Sequence, residues 1–369
     1  MRVTEVDSFG VSIPLDEPVS WSTGSVDARD HAIVRIRTDA GYEGLGYTLG
    51  YGAATIMADV IDAILAPIVV GEDPRDVRRI WNDLFDRSLQ IGRNGIMMRA
   101  ISMIDIALWD LIAKDAKQPL HKHLGAVTNR VPTYASGGYY RDSSGTEALR
   151  NELSTYVDRG HDIVKIKVGG RSVSTDVDRV AAARETIGPD RTLLLDANCR
   201  WRTEQEAVAA LRAFAPYEPY FIEEPVRPDS IGLMARINDA IDYHVAAGEI
   251  HETRYRFEQL IRTGAIDIVQ ADATVVGGIT EWLSVAHHAS SVDVPLAPHY
   301  NWDLHAPLLA SVTNGLWLEY FYEDMGVKAF DAVLNYPLAP DDDGYIELPD
   351  RAGHGVVLDE DRVDELRIE

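Results

Sequence analysis

Two lysines lie two residues apart in "DIVKIKVGG", the stretch from Asp162 to Gly170. Ile163, Val164, Ile166 and Val168 surround Lys165 and Lys167, so the stretch predicts a buried β-strand closed by a glycine turn. Alternation puts both ammonium groups on one face and Val164, Ile166 and Val168 on the other. Neighbouring buried cations lower each other's pKa, which is how a lysine becomes a base near neutral pH. The chain holds only six lysines, at 114, 117, 122, 165, 167 and 328. A pair within one apolar run therefore weighs against an ordinary charged strand end.

Acids recur at the ends of other apolar runs. "TLLLDAN" ends in Asp196 and Asn198, "YFIEEP" carries Glu223 and Glu224, and "HVAAGEI" carries Glu249. Asp196, Glu223 and Glu249 close three successive runs. Brought into one cup they would repel strongly, and a divalent cation removes the conflict. An all-oxygen ligand set suits Mg²⁺ or Mn²⁺ rather than zinc. Strand alternation is expected to point Glu224 away from that cup. "DIVQAD" supplies Asp272 and "VPLAPHYN" supplies His299, at neighbouring run ends. A carboxylate on one imidazole nitrogen orients the ring and raises its basicity. "GLWLEYF" adds Glu319. A lysine base facing a histidine acid/base across a cation held by three carboxylates suits removal of a proton α to a carboxylate. No HExxH or GxSxG motif supports zinc-protease or serine-hydrolase chemistry.

The elements between these residues predict how they meet. From Val131 onward, short apolar runs end near Tyr134, Lys167, Asp196, Glu223, Gly248, Gln270, Pro298 and Glu319. Helical patterns lie between them, at Thr146–Arg159, Ser174–Ile187, Thr203–Phe214, Ile231–Ile241, Thr253–Thr263, Gly278–Ser290 and Ala306–Thr313. This alternation predicts an α/β protein with a (β/α)₈-type barrel, whose active site gathers at the C-terminal strand ends. A doubly wound open sheet is the alternative, but "GYEGLGYTLG" does not match its phosphate-binding glycine spacing. Residues 1–125 predict an α+β domain, with strands at Thr4–Pro14, His31–Thr38 and Gly44–Thr48. Its helices are predicted at Ala53–Leu65, Pro74–Gln90 and Gly95–Ala116. Residues 126–335 form the barrel domain, and the tail, 336–369, is expected to return to the N-terminal domain.

Composition narrows the partners. The 369-residue chain is 46% hydrophobic with a formal net charge of −24. Such acidity argues against nucleic acid or an anionic membrane as partner. No apolar run reaches the roughly 18 residues of a membrane span. "MRVTEVDSFGVSIP" alternates like a strand and lacks the apolar run of a secretion signal, so a cytoplasmic protein is expected. The single Cys199 excludes an intramolecular disulfide and a multi-cysteine zinc site. An acidic, lysine-poor chain is also what salt adaptation would produce.

These motifs together resemble the enolase superfamily and, within it, the mandelate racemase subgroup. The resemblance covers nearly the whole chain. It includes "RNGIMMRAISMIDIALWDLIAKDAKQPLHKHLGA" from Arg93, Lys165-x-Lys167, the three acids, "DATVVGGIT" from Asp272, and "PHYN" around His299. It implies a modified TIM barrel with an N-terminal capping domain completed by the C-terminal tail. It also implies Lys167 as base and Lys165 as the group that lowers its pKa and binds the substrate carboxylate. Glu319 would hydrogen-bond that carboxylate, Asn198 would lie beside the metal, and the chain would form a homo-oligomer. The subgroup contains racemases and acid-sugar dehydratases. Trp21, Ser22, Thr23 and Ser25, in the expected capping loop from Pro14 to Asp30, offer a polar cover. Tyr47, Tyr51, Tyr139, Tyr140 and Arg141 could add hydrogen bonds. Polar lining favours a polyhydroxy acid and hence a dehydratase. A racemase or epimerase of a 2-hydroxy acid is the second expectation, and a catalytically silent binding protein the third.

Overall fold

The computed structural model describes residues 1–141, 145–325, 327 and 330–368. Its N-terminal layer is an antiparallel meander of β1 (Val3–Ser20), β2 (Ser25–Thr38) and β3 (Glu43–Leu49). The stretch from Pro14 to Asp30, expected as a loop, is instead the outer part of the β1–β2 hairpin. Its register breaks between Pro14 and Val19, and its tip closes where the Trp21 amide donates to the Gly24 carbonyl at 2.9 Å. Pro14 and Pro18 donate no backbone N–H, so the strand crosses them only through that irregularity.

Helices Ala54–Val60, Val77–Arg87 and Ile96–Asp115 back the meander. Two glycines let the longest one lie directly on β3. A Cβ at Gly46 would sit 1.9 Å from the Met103 carbonyl oxygen, and one at Gly44 2.2 Å from that of Ala107. Backbone cannot rotate aside as a side chain can. Gly46→Ala should therefore push strand and helix apart and cost about 3 kcal/mol, read as a lower urea midpoint. An unchanged midpoint would show that the contact is not tight.

The barrel strands are β4 (Arg130–Gly137), β5 (Ile163–Lys167), β6 (Thr192–Asp196), β7 (Pro219–Glu223), β8 (His244–Ala247) and β9 (Ile268–Val269), parallel in chain order. β10 (Leu318–Tyr320) pairs with β4. The seventh barrel position is a single bridging residue, Leu296, paired with Val269 on one side and Gly315 on the other. Pro295 and Pro298 flank it, and neither can extend a ladder. The ring is the expected modified TIM barrel. Val164, Ile166, Leu195 and Ile222 face the outer helices, whereas Tyr134, Leu194, Phe221 and Ile268 fill the interior.

The outer helices follow the predicted periodicity, with one displacement. The last was expected at Ala306–Thr313 and runs from Trp302 to Leu309. Asn301, in a left-handed conformation (φ 38°), turns the chain and accepts from the His305 amide at 2.9 Å. Pro307 falls inside the helix. In the tail, β11 (Tyr345–Glu347) pairs with β4, and helix Glu360–Leu366 leads to β12 (Arg367–Ile368), which pairs with β1. Buried Asp110 accepts from the amides of Leu45 and His354, both at 3.0 Å, tying the tail to the meander. Among the described residues no single helix is long and apolar enough to cross a membrane.

Candidate active site

Strand register builds the site in layers. Lys165 of β5, Leu194 of β6 and Phe221 of β7 occupy one rung. Two residues further along, the next rung is Lys167, Asp196 and Glu223. Leu194 and Phe221 thus form an apolar floor under a charged layer. Gly248 follows β8 with φ 153° and brings in Glu249. A Cβ there would come within 2.6 Å of the Gln270 carbonyl carbon, so the chain passes β9 too closely for a side chain.

Asp196, Glu223 and Glu249 offer carboxylate oxygens that lie within 4.8 Å of one another. Oε1 of Glu223 is buried without a hydrogen-bond partner. Burial, then the neighbouring Asp196, pushes the Glu223 carboxyl up to about 8. An oxygen-only donor set with a free, buried ligand atom and mutual repulsion fits a hard divalent cation.

Both lysines turn toward these acids. Lys165 Nζ donates to Glu223 Oε2 at 2.5 Å and pairs with Glu319 Oε1 at 2.6 Å, while Lys167 Nζ pairs with Asp196. Burial lowers the pKa of each lysine. Glu223 and Glu319 outweigh it at Lys165, and Asp196 outweighs it at Lys167, so both are held above the usual lysine range. The expected mutual lowering is thus reversed against unneutralised carboxylates. Burial likewise opposes ionisation of Glu319, but Lys165 and His299 hold it down at about 2.

On the other side, His299 Nδ1 lies 3.0 Å from Asp272 Oδ2 and Nε2 lies 3.4 Å from Glu249 Oε2. Asp272 is itself fixed by the Thr274 amide at 2.7 Å and by Asn301 Nδ2 at 3.2 Å. Burial lowers the imidazole pKa, but Glu249 and the Asp272 hydrogen bond overcome it and raise it to about 9. His305 also approaches Asp272. Its Nε2 accepts from the Ala273 amide at 2.9 Å while Nδ1 faces the Tyr300 carbonyl at 2.9 Å, so it is the neutral Nδ1–H tautomer and not a second cation.

These groups open into a cavity of about 340 Å³ between barrel and meander, lined by Lys167, Asn198, Glu249, Asp272, His299, Glu319 and Trp21, among others. The hairpin tip closes it from above. Ser22 Oγ donates to the Ala197 carbonyl at 2.5 Å and Thr23 Oγ1 to that of Asn198 at 3.0 Å.

Three expected substrate contacts lie elsewhere. Tyr47 is buried and stacked on Phe330 at 3.9 Å, outside this cavity. Tyr140 spends its hydroxyl on Asp176 at 2.6 Å and the Gly170 amide at 2.9 Å, which braces the turn after β5. Arg141 does not line the cavity. Conversely, Glu224 does not point away. Its φ is 41°, so alternation ends one residue after Glu223, and its carboxylate lines the cavity and accepts from Cys199 Sγ at 3.2 Å. Arg29, Arg99 and Tyr300 also line it and were not anticipated. Arg29 belongs to β2, within the hairpin that the capping-loop expectation covers.

A model of the mandelate racemase / muconate lactonizing enzyme N-terminal domain matches residues 3–125, and one of enolase C-terminal domain-like proteins matches residues 148–362. The chain belongs to the mandelate racemase subgroup of the enolase superfamily. Relatives within the superfamily include an arabinonate dehydratase of Saccharolobus solfataricus, 34% identical over 88% of this chain and 87% of that protein. A 3,6-anhydro-alpha-L-galactonate cycloisomerase of Streptomyces coelicolor is 36% identical over 96% of this chain and 97% of its own. The crystal structure of a racemase from Streptomyces coelicolor with bound magnesium superposes with a TM-score of 0.92 at 34% identity, covering 99% of this chain and all of that one.

Proposed function

We propose that the protein is a Mg²⁺-dependent acid-sugar dehydratase that removes the α-proton of a hydroxy-carboxylate and expels the β-hydroxyl, giving a 2-keto-3-deoxy acid. The observation that carries this reading is the placement of Lys167 and the Asp272–His299 pair on the wall of one cavity, around the three-carboxylate cluster. Asp196, Glu223 and Glu249 would hold Mg²⁺ (or Mn²⁺), which supplies positive charge to a substrate carboxylate as its second negative charge develops. With Asp196 and Glu223 committed to that cation, the surroundings left to Lys167 include burial and Lys165, both of which lower its pKa. Lys167 then takes the α-proton. Lys165 holds the carboxylate end of the substrate, and Glu319, paired to Lys165, fixes the position of that ammonium group. His299, kept in one tautomer and orientation by Asp272, gives its Nε2 proton to the leaving hydroxyl.

A second reading follows from the same geometry. Two proton-transfer groups from the second and seventh barrel positions also suit a racemase or epimerase, in which the enediolate is reprotonated on the opposite face. The two are separated by a panel of sugar acids assayed with Mg²⁺ for 2-keto products and, in deuterated water, for α-exchange and inversion. The dehydratase reading expects 2-keto acid. Inversion without it favours the epimerase, and an absence of α-exchange across the panel removes both. Excess chelator should reduce turnover to background while leaving circular dichroism and most thermal stability in place, because the barrel interior is apolar and closed without the ion. Full turnover in chelator would end the metal assignment.

A further inference from the structure

The cavity has two chemically different ends. The acids Glu224, Glu249, Asp272 and Glu319 all come from the barrel. The N-terminal layer contributes Trp21, Thr23, Arg29, Leu49, Tyr51 and Arg99, which include two arginines and no acid. In a chain of net charge −24, that is an unusual place to concentrate positive charge.

Arg29 is the informative residue. It is 6% exposed, yet among the described residues it forms no ion pair. Its guanidinium meets the Tyr139 hydroxyl only at 3.5 Å and stands over the Tyr300 ring at 5.5 Å. Its Nε is buried with no hydrogen-bond partner. His31, two residues along the same strand, is neutral or cationic in any state and so is no counter-ion; burial, then the neighbouring Arg29, keeps it neutral. Arg99, from helix Ile96–Asp115, reaches the same cavity. It donates to Thr48 Oγ1 at 3.2 Å and the Leu49 carbonyl at 3.1 Å and faces the Tyr51 ring at 5.6 Å, and among the described residues it too forms no ion pair. A buried guanidinium is ordinarily paired, because desolvating it alone is costly. Here the open side of Arg29 is the cavity. A planar fork of N–H donors matches a carboxylate best, through two parallel bonds.

We propose that Arg29, supported by Arg99, is a subsite for a second carboxylate at the far end of the substrate, so that the enzyme prefers sugar diacids to monoacids. This rests on the dehydratase reading above, in which the first carboxylate lies at the barrel end beside Lys165. A polyol tail would leave the buried guanidinium without a counter-charge, whereas a terminal carboxylate neutralises it.

The test uses the Mg²⁺-loaded enzyme with matched pairs: galactarate and galactonate, glucarate and gluconate, mannarate and mannonate. For the configuration that reacts, kcat/KM is expected to favour the diacid by about 30-fold, the size of a charged hydrogen-bond pair. Arg29→Gln should collapse the diacid-to-monoacid ratio toward one, chiefly through KM, and Arg29→Lys should recover part of it. Calorimetric binding of the same six acids to wild type gives the comparison independently of turnover and of how well the variants fold. A monoacid used or bound as well as its diacid overturns the subsite, even if dehydration proceeds. Loss of both activities in equal proportion in a folded Arg29→Gln protein also overturns it, since that marks a purely structural arginine. Deuterium exchange at the α-carbon, followed in the same samples, reports on the dehydratase reading separately.

Discussion

Lys167→Ala is expected to abolish both product formation and exchange of the substrate α-proton with solvent deuterium. The fall should reach about 10⁴-fold, the upper range for a positioned general base. Lys167 projects into the cavity from the same face of β5 as Lys165, and the strand register places it beside Asp196. Lys165 sits one rung deeper, level with Leu194 and Phe221, and is paired with Glu319, so it does not replace its neighbour. Asp196, Glu223 and Glu249 are untouched by the change, and Mg²⁺ binding should persist. That persistence distinguishes a missing base from a collapsed site. Lys167→Arg, which keeps the charge but cannot be deprotonated, should be equally inactive. Normal turnover by either variant would return the paired lysines to the status of a charged strand end.

Much of this site was legible because β-strands obey a two-residue period. Lys165 and Lys167 share a face, their apolar neighbours take the other, and the barrel rule then gathers Asp196, Glu223, Glu249, Asp272, His299 and Glu319 at one end. The misreadings fall where that period breaks. Glu224 lines the cavity because its backbone is left-handed at φ 41°, which nothing in "YFIEEP" announces. Arg29 lies in the hairpin that the family resemblance renders as a capping loop, so strand alternation does not point to it. Tyr47 and Tyr140 are polar aromatics used inside the protein, Tyr47 through its ring on Phe330 and Tyr140 through its hydroxyl on Asp176. Residue type alone does not say which end of a tyrosine faces the cavity. The lysine pKa values depart from expectation for another reason. Mutual repulsion was visible in "KIK", but the carboxylates that override it arrive from strands more than 25 residues away.

His299→Asn is the variant expected to separate the two proton transfers. Asparagine can retain a hydrogen bond to Asp272 but cannot deliver a proton at neutral pH. In a dehydratase, product formation should fall by about 10³-fold, within the range for loss of a general acid. Exchange of the α-proton should continue, because Lys167 comes from β5 and His299 from the seventh barrel position, on the other side of the barrel mouth. The enediolate would form and return, incorporating deuterium at the α-carbon with no keto acid appearing. In an epimerase the same variant should exchange only the stereoisomer whose α-proton faces Lys167, since each group serves one face. A variant that loses exchange and elimination together, with Mg²⁺ still bound, would mean that His299 and not Lys167 removes the proton. The roles of the two flanking groups would then be exchanged, with Asp272 activating the base instead of orienting the acid.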